Sequence, residues 1–97
     1  MKPRFQAGAR VRVDDREQAG HVRTPRYIRG KTGLVSEVCG PYPDPEDLAQ
    51  GRLGLPYRML YRVIFVQFDV WPGYAGAKGD RIVVDLYEHW LTGSASP

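Results

Sequence analysis

The sequence predicts an all-β fold: a small SH3-like barrel with long loops and at most short helical turns. Three observations lead there. Short segments alternate apolar and polar residues with the period of a strand, most clearly Arg10-Val11-Arg12-Val13. Eight prolines and eleven glycines in 97 residues favour turns over long helices. No segment carries a sustained helical spacing of apolar residues. Four or five short strands separated by long loops form a barrel more readily than a layered α/β sheet.

Taken in order, Phe5 and Gly8 supply an anchor and a turn ahead of the strand Arg10–Val13. Residues 14–31 form a long polar loop containing Gly20, Pro25 and Gly30. Thr32–Val38 resumes as a strand, with Leu34, Ser36 and Val38 expected on one face and Val35 and Glu37 on the other. Gly33 marks a bulge or sharp bend within it. The segment 40–56 holds four prolines and three glycines and reads as a loop, with one helical turn around Pro45–Ala49. Leu60–Phe68 is the longest apolar stretch. Its aromatic and β-branched content makes it a strand, and both of its faces are largely apolar. So small a domain has little with which to cover a second face, which points to a partner subunit. A glycine-rich loop follows over 69–80, then a strand Ile82–Leu86 with Ile82, Val84 and Leu86 on one side. Residues 87–91 are expected to turn across the barrel end and drop Trp90 or Leu91 onto the core.

The chain is read as one domain spanning 1–97, with residues 92–97 a disordered tail. The formal net charge is +3, and arginine supplies most of the positive charge, with lysine only at 2, 31 and 78. A planar guanidinium binds oxyanions with two parallel donors, which an ammonium cannot. The excess therefore fits nucleic acid, an acidic partner or oxyanion ligands in a complex. A single cysteine, Cys39, excludes an internal disulfide and a cysteine-rich metal site built from this chain alone. It reads as a small buried or interface thiol. No apolar run approaches the roughly 20 residues needed to span a bilayer, and no apolar signal core is present at the start. A reducing, cytoplasmic setting is expected.

The most informative segment is Gly20-His21-Val22-Arg23-Thr24-Pro25-Arg26-Tyr27-Ile28-Arg29-Gly30-Lys31-Thr32-Gly33. His21, Arg23, Arg26, Arg29 and Lys31 crowd one short stretch. Arginines every third residue, in a loop stiffened by Pro25, can present several guanidinium groups to one oxyanion. The plainer reading is a solvated basic loop. His21 has no second histidine at metal spacing, and alone is more often structural than a ligand or base. Gly30-Lys31-Thr32 is no phosphate-binding loop, since the upstream glycine it needs falls on Thr24 or Pro25. Asp14-Asp15 and Glu46-Asp47 read as solvated charges or caps. No serine or cysteine stands beside a histidine as a nucleophile. Trp71, Trp90 and Tyr61 suit core positions better than base-stacking platforms. Taken alone, the residues describe a basic β-barrel with an arginine-rich loop and an unfinished surface.

That loop resembles the GHxRxPRYxRGKxG signature of the C-terminal domain of nitrile hydratase β subunits. Phe5 through Val13 is similar to the family's opening F-x-x-G-x-x-VRV, residues 60–65 to its LYxVxF strand, and residues 80–91 to its closing D-x-x-x-VDLxExYL segment. The resemblance covers nearly the whole chain. Two departures are Pro72 between Trp71 and Gly73, and Trp90 in place of a usual tyrosine. The long helical N-terminal half of an ordinary β subunit is missing. The chain thus resembles one half of a divided β subunit, as in three-subunit nitrile hydratases of the toyocamycin type and in thiocyanate hydrolase.

The resemblance implies a subunit of a hetero-oligomeric lyase complex, inactive alone, that hydrates a nitrile to its amide. It implies a cobalt(III) or iron(III) centre held by a cysteine cluster of a partner α subunit, two of those cysteines oxidised to sulfenic and sulfinic acids. The implied partners are that α subunit and a helical β-N-like subunit. Arg23, at the arginine of GHxR, becomes the first candidate to hydrogen-bond the sulfur oxygens, with His21 beside it as a second catalytic candidate. Arg26, Tyr27 and Arg29 become interface or supporting residues. Buried negative oxygen needs such a partner. The alternatives are a thiocyanate hydrolase subunit, a basic RNA-binding barrel or a maturation protein. RNA binding by the isolated chain would fall steeply with salt.

Overall fold

β1 (Arg10–Val13) turns Val11 and Val13 fully inward and its two arginines outward, as the alternation predicts. The computed structural model describes residues 2–17 and 23–94. Four further strands join β1: β2 (Thr32–Tyr42), β3 (Arg58–Val66), β4 (Arg81–Tyr87) and β5 (Leu91–Gly93). They form one antiparallel five-stranded sheet in the order β4-β3-β2-β1-β5. The fold is all-β. Among the described residues, helical structure is confined to α1 (Pro45–Ala49), α2 (Gln67–Val70) and single 3-10 turns at Arg26–Ile28 and Glu88–Trp90. Strands β4 and β5 are the two edges and do not pair with each other, so the expected barrel is not a closed one.

Tyr61, Val63 and Phe65 of β3 are buried at the centre of the core, with Val11, Val13 and Val35 packed around them. Removing each such side chain from water contributes about 1.5–3 kcal/mol. Phe5 closes one end, edge-on to Tyr61 with ring centroids 5.5 Å apart. The Tyr61 hydroxyl accepts from the amides of Arg4 and Phe5 at 3.0 and 3.2 Å and donates to Glu88 Oε2 at 2.5 Å. That ties the N-terminal segment to the turn after β4. Trp90 and Leu91 are both buried, as expected of the segment that follows β4.

Several sequence expectations are corrected. β2 does not stop at Val38 but continues through Cys39 to Tyr42. Its register against β3 shifts between Val35 and Glu37 and again between Val38 and Gly40. Each bulge breaks the alternation, so Leu34 is exposed while Val38 turns toward the core that holds Val35. β3 ends at Val66. Gln67 and Phe68 belong to α2, where the Trp71 amide reaches the Gln67 carbonyl at 3.1 Å. Thr92 and Gly93, expected in a frayed tail, are held in β5 opposite Arg12 and Val11. The register shifts do not fall at Gly33, where a bulge was expected; glycine there permits a close approach instead, since a Cβ would lie 2.7 Å from the Ile64 carbonyl oxygen. The second face of β3 is half-covered, with Ile64 and Val66 partly exposed beside Leu34 and Val83. Among the described residues no helix is long and apolar enough to cross a membrane.

Candidate functional site

The basic loop enters the described structure at Arg23 and runs to Lys31. Two buried side chains fix it to the sheet: Thr24 and Ile28, the latter fully enclosed in the core. Pro25 precedes the 3-10 turn Arg26–Ile28, with its φ of −62° already suited to that start. The Arg29 amide reaches the Arg26 carbonyl at 3.1 Å and the Lys31 amide that of Ile28 at 3.0 Å. Gly30 adopts φ +79°, a left-handed conformation that side chains rarely take. Its amide donates to the Val13 carbonyl at 2.8 Å, and the Val13 amide donates to the Lys31 carbonyl at 2.9 Å. The loop is thereby stitched to β1. Tyr27 is half-buried and stacks on Trp71, with centroids 5.0 Å apart.

The three arginines do not all converge on one target, although Arg26 and Arg29 both lie within ion-pair distance of Glu17, at 2.8 and 3.9 Å. Arg29 turns inward: its side chain is 9% exposed, Nε and Nη2 both donate to the Thr24 carbonyl at 3.2 and 2.7 Å, and Nη1 reaches the Arg16 carbonyl at 3.4 Å. Arg26 points to solvent and pairs with Glu17 at 2.8 Å. Both of those side chains are mostly exposed, so the pair contributes little. Arg23 is exposed and makes no hydrogen bond or ion pair with the other described residues. Its charge acts on Tyr87: burial pushes that phenol's pKa up, and Arg23 opposes the rise. The expected cluster of guanidinium groups is thus one outward arginine, one surface ion pair and one internal strut. His21 lies outside the described residues.

Beneath the loop is a polar network centred on Trp90. The Arg16 and Arg29 guanidinium carbons lie 4.0 and 4.9 Å from the Trp90 ring centroid, within cation–π range. The indole Nε1 donates to Glu46 Oε2 at 2.8 Å, and the same oxygen lies 3.2 Å from His89 Nε2. Asp44 completes the group. It caps α1 by accepting from the amides of Glu46 and Asp47 and pairs with Arg58 Nε at 2.9 Å. Burial works to raise the Asp44 pKa, but Arg58 and the two amides outweigh it and hold the carboxyl below its ordinary value. Glu46 is therefore no solvated surface charge, as the sequence suggested. Asp44 escaped notice, although an aspartate directly before a proline and two acids is a helix-start signature.

Could this chain hold a metal by itself? Donor atoms of Asp44, Glu46 and His89 lie within 4.8 Å of one another. Their oxygens are already committed to Arg58, Trp90 and the α1 amides, and a cationic guanidinium sits where an ion would need open lone pairs. Cys39 is half-buried on β2, and burial, then the charge of Asp85, push its pKa up. A thiol so placed stays protonated and is a poor ligand. Among the described residues the donor set does not fit a cobalt or iron centre.

Comparison with known proteins gives one consistent result. The family described as nitrile hydratase beta subunit, C-terminal, matches residues 1–93. The nitrile hydratase subunit beta of Pseudomonas chlororaphis is 40% identical over 91 residues, covering 93% of this chain and 40% of that protein. The cobalt-containing nitrile hydratase subunit beta of Pseudonocardia thermophila is 36% identical, covering 92% and 37%. The thiocyanate hydrolase subunit alpha of Thiobacillus thioparus is 32% identical, covering 93% and 71%. Among solved structures, the recombinant apo-enzyme of that thiocyanate hydrolase superposes with a TM-score of 0.90 at 31% identity, over 96% of this chain and 78% of the other. The chain spans about two-fifths of the length of the nitrile hydratase subunits it matches.

Proposed function

Because the chain belongs to the family of nitrile hydratase beta C-terminal domains, we propose that it is one subunit of a hetero-oligomeric nitrile hydratase-type enzyme and lends Arg23 to an active site centred on a partner. The metal would reside on that α-type partner, since the donors among the described residues do not fit one. A cobalt(III) or iron(III) centre there would supply the Lewis acidity for adding water to a nitrile to give its amide. The part played by this chain is electrostatic. Oxidised cysteine ligands carry negative oxygens that are costly to enclose unpaired, and a guanidinium neutralises them while fixing their direction. A helical β-N-like subunit would complete the assembly, in a reducing cytoplasmic setting.

The observation that carries this reading is the contrast within the loop. Arg29 is locked inward and holds Thr24, the neighbour of Arg23, while Arg23 itself is exposed and uncommitted among the described residues. A guanidinium on a braced loop keeps its direction without being consumed by its own domain. His21 would act beside it. Arg26 and Tyr27 would face the partner at the rim, whereas Arg29 supports the loop from inside.

Replacing Arg23 by Lys in the assembled complex tests the assignment. The chain should fold and assemble as before, and turnover should fall by about 10²-fold or more, the scale seen when a positioned charge-stabilising donor is lost. Near-normal turnover would overturn the role given to Arg23. A second reading, thiocyanate as the substrate, is favoured by the structural match to thiocyanate hydrolase. Assaying the complex on a nitrile and on thiocyanate separates the two. Steeply salt-dependent RNA binding by this chain alone would instead support a nucleic-acid role.

A further inference from the structure

β4 ends the sheet. Its seven residues pair with β3 on one side, and among the described residues no strand covers the other. An uncovered edge of this length is a template for another strand. β4 exposes Arg81, Val83 and Asp85 in alternation on one face, with Val83 53% exposed. The order is cation, aliphatic, anion.

That order is complementary to itself. In an antiparallel pairing centred on Val83, Val83 faces Val83 of a second copy, Arg81 faces its Asp85, and Asp85 faces its Arg81. On the opposite face Ile82 meets Val84. Sliding the register by two residues sets Arg81 against Val83, or Val83 against Asp85, and removes both ion pairs. We propose that β4 pairs antiparallel with β4 of a second copy of this chain, joining the two five-stranded sheets across a twofold axis. Such an interface is isologous, so one complementary pair of positions is used twice.

The rest of the exposed face agrees. Leu34 pairs with Ile64, and Ile64 with Val83, so an apolar row crosses the sheet and ends at the proposed axis. Asp85 already accepts from Arg62 Nε at 3.0 Å. A carboxylate has lone pairs for a second guanidinium, and the Arg81 of the second copy would lie opposite, with Cα atoms about 4.5–5.5 Å apart. Arg81 has no ion pair with the other described residues, so it is available for this contact. A strand edge alone buries less than a standard interface, which makes the association weak and concentration-dependent. The proposal does not depend on the assignment of Arg23.

Sedimentation equilibrium of the 97-residue chain over roughly 10 µM to 1 mM should show the mass rising from one chain toward two. Val83→Lys leaves the Arg62–Asp85 pair intact and places two ammonium groups at the axis, so it should abolish the rise. Arg81→Asp and Asp85→Arg each set like charges against each other and should weaken self-association by about tenfold. Mixed in equal amounts, the two variants should form a dimer of unlike chains, because every cross-strand pair is then attractive. Circular dichroism checks that each folds; if Asp85→Arg does not, Val83→Lys and Arg81→Asp still decide. A parent chain that stays monomeric throughout overturns the proposal. So do variants that associate as strongly as the parent, or two folded variants that ignore each other.

Discussion

Arg29 grips the Thr24 carbonyl with two donors, Nε at 3.2 Å and Nη2 at 2.7 Å, while its guanidinium lies over the Trp90 ring. This closes the loop that carries Arg23 by tying its backbone at Thr24 to the Arg29 side chain. Lysine has a single ammonium on a flexible stem and cannot span the carbonyl and the ring together. Arg29→Lys should therefore destabilise the isolated chain by about 1.5–3 kcal/mol, the usual scale for hydrogen bonds from a charged group. For a domain of this size the melting temperature should drop by roughly 6–24 °C. If Arg29 served only a partner contact, the isolated chain would melt normally and assembly alone would suffer. Thermal unfolding of the isolated chain distinguishes the two.

Gly33 sits where β2 passes from β1 to β3. A Cβ at this position would be 2.7 Å from both the Ile64 carbonyl oxygen and Val63 Cγ1. The obstacle is backbone and a stiff β-branched side chain, neither of which yields easily. Gly33→Ala should cost about 1–3 kcal/mol in denaturant unfolding, as overpacking does. Gly79→Ala is the control, with nothing within 4 Å of its Cβ. Equal stability of the two variants would contradict the close approach.

The folded state holds the Asp44 carboxyl below its ordinary value of 3.8 through Arg58 and the α1 amides. The unfolded chain therefore binds this proton at a higher pH than the folded chain does. Stability from Asp44 is complete above the ordinary value and is lost as pH falls through the depressed folded value. Unfolding midpoints should decline across that acid range. Asp44→Asn should flatten this decline while lowering stability at neutral pH, since the amide keeps the cap but loses the charge facing Arg58. A variant whose midpoint falls with acid as steeply as the parent's would remove Asp44 from the account.

Local pattern made some elements plain. β1 and β4 alternate cleanly, and α1 spans the helical turn expected at Pro45–Ala49. The extension of β2 through Gly40-Pro41-Tyr42 was hidden because proline and glycine signal a loop. The register explains why proline is tolerated there. β1 pairs with β2 only at Thr32, Gly33 and Leu34, so beyond Val35 one side of β2 has no β1 neighbour and a missing N–H costs nothing. β5 is too short to carry a pattern and exists through its pairing with β1. In the candidate site, sequence marked the basic loop but let its arginines share one target, whereas the structure turns them in different directions. Which of them turns inward is set by Trp90, 61 positions after Arg29, and no local spacing encodes that contact.

Tyr61 offers the sharpest test of how the N-terminal segment is held to the sheet. Its ring is fully buried against Phe5, and its hydroxyl serves three partners: the amides of Arg4 and Phe5 and the Glu88 carboxylate. Burial, then the hydrogen bond to Glu88, raises its pKa, so the phenol remains protonated and keeps donating at neutral pH. Tyr61→Phe preserves the packing and deletes only the oxygen. The Phe5 amide would then be buried without this acceptor, at a cost of about 1–3 kcal/mol. The loss should be local in hydrogen exchange. Amides of Arg4 and Phe5 should lose protection, while β2 and β3, paired along their length, open only with the whole domain. Uniform loss of protection across the sheet would mean that the hydroxyl supports the core as a whole rather than the N-terminal segment.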